Sequence, residues 1–145
     1  MSDRLSSENV HATTVARDGR AVMLLGPSGS GKSDLALRLF EHGFALVSDD
    51  QTLVRRDGGH LIASAPPTIA GKFEVRGLGI IDMPFVNDVS VALAVELVSE
   101  MARMPDDSPR RTFLSVAVPL VSIDAKTASA AAKVVLALNH FGLGD

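Results

Sequence analysis

The chain has no cysteine, no tryptophan and no tyrosine, and only six phenylalanines in 145 residues. Without thiols there are no disulfides, no thiolate nucleophile and no thiolate metal site, which fits a cytoplasmic location. Without Trp and Tyr there is little on which to stack unpaired bases, so single-stranded nucleic acid is poorly served. Basic charge is not in excess either. The 14 Lys and Arg face 17 Asp and Glu, for a net charge of −3, so no nucleic-acid partner is expected. No apolar run reaches the roughly 20 residues of a membrane span. The polar stretch Met1 to Asn9 has no hydrophobic segment that would make it a secretory signal.

What is present is an apolar content of 46%, enough for a real core in one domain of this length. Residues 1–9 read as a flexible leader and residues 10–145 as a single domain. The organising stretch is Gly26-Pro27-Ser28-Gly29-Ser30-Gly31-Lys32-Ser33, which fits the G-x-x-x-x-G-K-[ST] phosphate loop, or P-loop. The apolar run Ala21–Leu25 leads into it and a helical pattern, Asp34 to His42, leaves it. Glycines let consecutive N–H groups turn inward toward phosphate oxygens, and the helix adds the positive end of its dipole. Lys32 would reach the β- and γ-phosphates, and Ser33 would offer a hydroxyl to Mg²⁺. The motif therefore predicts a site for Mg²⁺ and a nucleoside triphosphate.

In chain order, Val10 to Ala16 predicts a short strand, with a turn at Asp18-Gly19. His11 lies in it, and a lone His is more often a packed or surface residue than a catalytic one. Leu35, Ala36, Leu39 and Phe40 share one helix face, Arg38 and Glu41 lie toward the other side, and Gly43 suits the left-handed position past the end. Phe44–Ser48 predicts a buried strand ending in Asp49-Asp50. One helix separates it from the P-loop strand, which predicts a βαβ unit of parallel neighbours. That places both acids beside the P-loop, where one would hold Mg²⁺ and the other would accept a proton.

Gln51–Arg56 and His60–Ala65 flank Asp57-Gly58-Gly59 and predict a hairpin in a peripheral layer. Phe73 and Val75 alternate with Glu74 and Arg76 in an extended segment. Two readings stay open there: a surface pair, or a Mg²⁺ ligand (Glu74) beside a phosphoryl-stabilising cation (Arg76). Val89–Val98 predicts a buried strand, Glu100–Arg111 a polar loop, and Phe113–Leu120 another strand. Asp124 is the expected cap of a last helix that Gly142 ends.

Together these residues resemble the catalytic domain of the HPr kinase/phosphorylase family. The marks are His11, the P-loop 26–33, Val47-Ser48-Asp49-Asp50, Ser64-Ala65-Pro66-Pro67, and Glu74-Val75-Arg76-Gly77-Leu78-Gly79-Ile80-Ile81-Asp82. The resemblance implies an α/β P-loop domain, related also to phosphoenolpyruvate carboxykinase, with a central mixed sheet and flanking helices. It implies ATP and Mg²⁺, a seryl acceptor on an HPr-like phosphocarrier protein of a phosphotransferase system, reversal by phosphorolysis in many members, and a homohexamer. Carried over by position, Lys32 binds the β- and γ-phosphates, and Ser33 and Glu74 are Mg²⁺ ligands. Asp50, assisted by Asp49, accepts the serine proton, His11 is the active-site histidine, and Arg76 belongs to a segment linked to the reverse reaction. The family's basic Pro-Gly-Arg-Asn-like loop is replaced here by Ser122-Ile123-Asp124-Ala125-Lys126, so no residue there takes the place of its arginine. Two other functions compete: a nucleotide-sensing module that binds the carrier without chemistry, and a small-molecule P-loop kinase, for whose lid and substrate pocket the chain has little spare length.

Overall fold

Strand β3, Arg20–Leu25, is apolar at every position but the first, and both of its faces are buried. Ala21, Met23 and Leu25 enter one core and Val22 and Leu24 the other, the two-residue alternation of a pleated strand. A strand covered on both sides has no polar face, which explains the unbroken apolar run. β9, Val89–Leu97, runs parallel to β3 and is buried in the same way. The computed structural model describes residues 7–99 and 109–144.

The remaining strands are β1 (Ser7–Val10), β2 (Ala12–Arg17), β4 (Ala45–Ser48), β5 (Thr52–Asp57), β6 (His60–Ser64), β7 (Lys72–Val75), β8 (Gly79–Asp82), β10 (Arg110–Phe113) and β11 (Val116–Ile123). The helices are α1 (Lys32–Phe40) and α2 (Ala130–Phe141). The mixed main sheet runs β1-β5-β6-β9-β3-β2-β4, and β11 joins β9 in parallel beyond β6. β7 and β8 form a separate hairpin. The sheet curls, because β1 leads directly into β2 and β4 into β5. Its β-only interior holds Met23, Val47, Val54, Leu61, Val91, Phe113 and Val118. The outer face carries α1 and α2, whose Leu35, Leu39, Val134 and Leu138 share a core with Leu24 and Leu93 of the sheet. Each such side chain, fully buried, contributes about 1.5–3 kcal/mol relative to exposure. Phe40 meets Phe73 edge-on at 5.2 Å and fixes the β7–β8 hairpin against α1.

Several expectations change. β4 is not the neighbour of β3: β2 lies between them, antiparallel to both. β3 and β4 therefore still point the same way, and their carboxyl ends share one edge of the sheet. The β5–β6 hairpin is part of the main sheet, paired to β9 at Ile62 and Ala63, rather than a peripheral layer. Ser7–Asn9, expected in the leader, pair with β5; the rest of the leader lies outside the described residues. The strand expected from Phe113 to Leu120 is two strands joined at Leu114-Ser115, both left-handed at φ 50° and 67°. The polar loop from Glu100 lies outside the described residues through 108.

Asp124 does not cap α2, which begins six residues later with Ser129 before it. Its carboxylate instead accepts the Lys126 N–H, and its carbonyl accepts from Thr127. Gly43 does close α1: at φ 83° it donates to the Phe40 carbonyl while Phe44 donates to that of Leu39.

Candidate active site

Sheet direction decides what meets at the site. The carboxyl ends of β3, β4, β9 and β11 all reach one edge. There β3 delivers the P-loop and β4 delivers Asp49-Asp50. Gly29 and Gly31 adopt φ of 84° and 101°, backbone that other residues take only with strain. A Cβ on Gly31 would stand 3.1 Å from that of Ala125, so this glycine also lets the loop pack on the β11–α2 connection. Lys32 is buried, and its Nζ donates to the Gly26 carbonyl at 2.7 Å and the Pro27 carbonyl at 3.1 Å. The ammonium is thus held inside the loop by neutral partners, with its charge available to a phosphate.

The two acids diverge. Asp49 is buried and accepts three hydrogen bonds: from Thr13 Oγ1 at 3.0 Å, Ser33 Oγ at 2.8 Å and the Glu74 N–H at 3.0 Å. It ties together the strand entering the site, the P-loop and the β7–β8 hairpin. Asp50 is 65% exposed and meets His11 Nε2 at 2.9 Å. Its φ is 72°, a left-handed conformation costing a non-glycine residue roughly 1–2 kcal/mol. Thr13 Oγ1 accepts the Asp50 N–H at 3.2 Å and helps to hold that conformation. His11 sits at the bend between β1 and β2, where the curled sheet brings it over the end of β4. The fold thus holds Asp50 in a left-handed conformation while its carboxylate stays open to solvent.

The P-loop, Asp50 and the β7–β8 hairpin line a cleft of about 610 Å³. Lys32, Ser33, Asp50, Glu74 and Arg76 all line it. Of the candidate residues, Gly29 and Gly31 also line it, His11 reaches it through Asp50, Asp49 lies buried behind it, and Pro27, Ser28 and Ser30 line a separate groove on the other side of the loop. The donor set suits magnesium with a triphosphate. Among the described residues no cluster of three or more acidic or histidine side chains is poised to hold a metal. Mg²⁺ needs none, since it takes one or two protein oxygens and fills the remainder with phosphate and water.

Residues 3–140 match the model of the HPr Serine kinase C-terminal domain. The chain belongs to that family. An HPr kinase/phosphorylase of Clostridium botulinum (strain Eklund 17B / Type B) is 35% identical over 112 residues, covering 74% of this chain and 37% of the relative. That of Levilactobacillus brevis is 33% identical over 133 residues, covering 83% and 43%. The chain thus spans about two fifths of the length of the curated relatives it matches. A solved structure of the Hpr(Ser) kinase/phosphatase from Coxiella burnetii superposes with a TM-score of 0.79 at 30% identity, covering 92% of this chain and 90% of that one. The central mixed sheet with α1 and α2 on one face is therefore the fold of this family's kinase domain.

Two positioning residues escape the sequence reading. Thr13 is fully buried and braces both acids. Its signal is a pair of threonines among Ala12, Val15 and Ala16 in a buried strand. Arg38, read as lying on the outer side of α1, reaches across to the carbonyls of Ala125 and Thr127. Helix periodicity gives no sign of that, because the partner is a loop almost 90 residues away.

Proposed function

We propose that this domain is an ATP- and Mg²⁺-dependent protein serine kinase acting on an HPr-like phosphocarrier protein, with a homo-oligomer as its assembled form. The observation that carries the reading is the division of labour at the end of β4. Among the described residues the Asp49 carboxylate accepts three hydrogen bonds, whereas Asp50 is open to the cleft and its carboxylate pairs with His11 alone. A base must be able to reach the acceptor hydroxyl, and Asp50 is the acid that can. In this reading the glycine-bearing loop and Lys32 bind the triphosphate. Ser33 and Glu74 would hold Mg²⁺, which when bound neutralises charge on the β- and γ-phosphates.

The seryl hydroxyl gives its proton to the Asp50 carboxylate as its oxygen attacks the γ-phosphorus. The bond to the β–γ bridging oxygen breaks, and ADP leaves. His11 orients Asp50 through their shared hydrogen bond. Arg76, on the cleft wall, stabilises charge on the phosphoryl oxygens. Such transfer needs positioning and electrostatics more than covalent chemistry, and these residues suffice. Leu78 and Ile80, 73% and 69% exposed at the hairpin beside the cleft, give a protein acceptor apolar surface to rest on. The likeness to phosphoenolpyruvate carboxykinase belongs to the same proposal and rests on the P-loop and the acids at the end of β4.

The test is transfer of labelled γ-phosphate from Mg–ATP to the HPr-like carrier encoded with this chain. The expected result is label on a serine, abolished by Lys32→Ala and by Asp50→Ala. Absence of label despite Lys32-dependent ATP binding would favour the non-catalytic nucleotide sensor.

A further inference from the structure

The P-loop has two sides, and the kinase reading uses one. In the main sheet β3 stands between β4 on one hand and β9 with β11 on the other. The groups that handle the γ-phosphate, Ser33, Asp50, Glu74 and Arg76, lie on the β4 side. On the other side the outer face of the loop borders a groove of about 240 Å³. Its walls are Ser28 and Ser30 of the P-loop, Ser99 past the end of β9, and Asp124 and Lys126 past the end of β11. We propose that this groove is the nucleoside subsite, which takes the ribose and base of the bound nucleotide. The proposal rests on the triphosphate lying in the P-loop as the kinase reading requires.

Polarity and space both favour this side of the loop. A triphosphate cradled by the loop with its γ-end toward Asp50 must send its α-phosphate and nucleoside the opposite way. The carboxyl ends of parallel strands are where open α/β sheets bind ligands, and β9 and β11 supply the free ends there. The groove is smaller than the roughly 300–1,000 Å³ of a whole small-molecule site, as a subsite should be. It is polar where a ribose needs partners, with three serines and the Asp124 carboxylate. Ser30 Oγ is buried, and among the described residues it has no hydrogen-bond partner.

The far wall is also rigid. Arg38 donates to the carbonyls of Ala125 and Thr127, one on each side of Lys126. Asp34, four residues earlier on α1, pairs with the same guanidinium at 3.1 Å. The Asp124 carboxylate is set by the Lys126 N–H at 2.9 Å. The P-loop and this wall meet where Gly31 approaches Ala125. A helix residue thus fixes the second wall against the phosphate loop, which is the preorganisation that a binding groove requires.

The experiment compares ATP with inorganic tripolyphosphate, which has the phosphates without the nucleoside. Binding of each, with Mg²⁺, is measured by calorimetry on the whole chain. Asp124→Ala is expected to weaken ATP by about fivefold or more and to leave tripolyphosphate no weaker. The chain has no tryptophan, so Ser99→Trp introduces a single fluorescent reporter. ATP is expected to change its emission or to bind it more weakly, and tripolyphosphate to do neither. Lys32→Ala should weaken both ligands. The proposal falls if Asp124→Ala leaves ATP affinity within twofold, or if the Ser99→Trp chain treats the two ligands alike. If neither ligand binds, or if Lys32→Ala affects neither, the P-loop reading itself fails and takes this proposal with it.

Discussion

Replacing Asp49 by alanine should cost far more stability than replacing its neighbour Asp50. Asp49→Ala removes the acceptor for Thr13 Oγ1, Ser33 Oγ and the Glu74 N–H. Thr13 is wholly buried, so its hydroxyl proton would be left without an acceptor, at about 1–3 kcal/mol. Ser33 and Glu74 line the cleft, where water replaces the carboxylate. Each of those two bonds is then worth only its net contribution of about 0.5–1.5 kcal/mol. The sum centres on about 4 kcal/mol, or roughly 8–16 °C in melting temperature for a domain of this size. Asp50→Ala removes one exposed pair with His11, worth about 0–1 kcal/mol.

Urea unfolding at pH 7 measures the difference, provided the slopes of the two variants agree with wild type. The expected order is wild type close to Asp50→Ala, with Asp49→Ala well below both. Equal midpoints for the two variants would refute the claim that Asp49 is the structural hub of the site.

Gly31→Ala should lower both stability and ATP affinity, because φ is 101° and the added methyl crowds Ala125. Gly29→Ala, with open space around it, should show only the backbone cost of about 1 kcal/mol; equal losses in thermal melts and ATP titrations would contradict this. Hydrogen bonds from Arg55 and Ser64 hold the Asp88 carboxyl below its ordinary range. A lowered folded-state value means that the group stabilises the fold above the unfolded carboxylate value and loses that contribution as pH falls through the folded one. Melting curves of wild type and Asp88→Asn should therefore differ at neutral pH and converge in acid; a gap that widens in acid would show the sign to be wrong.

The strand–loop–helix setting of the P-loop was legible in the chain because the motif sets residue types at fixed spacing. The placement of Asp49-Asp50 at the P-loop edge was legible too, although the route differed. A helix between two apolar runs implies parallel strands, and β3 and β4 do run the same way. No local rule says that an earlier strand, β2, slots between them, because pairing order depends on contacts distant in sequence. The turn at Leu114-Ser115 was hidden because neither residue marks a left-handed turn as Gly or Asn would. Asp124 looked like a helix cap because Asp favours that position, but the same side-chain chemistry serves the tight turn it makes with Lys126. His11 was unreadable locally, since its partner Asp50 lies 39 residues on. Only the resemblance to a family pointed to it.

Asp50 is the group proposed to accept the seryl proton. The most direct measurement is the single-turnover rate of phosphoryl transfer by Asp50→Ala to the HPr-like carrier, taken alongside its affinity for Mg–ATP. The expected result is a rate lower by about 10²–10⁴-fold, the usual worth of a general base, with ATP affinity and folding close to wild type. Transfer retained within a few-fold of wild type would contradict the account and move the base to another group in the cleft.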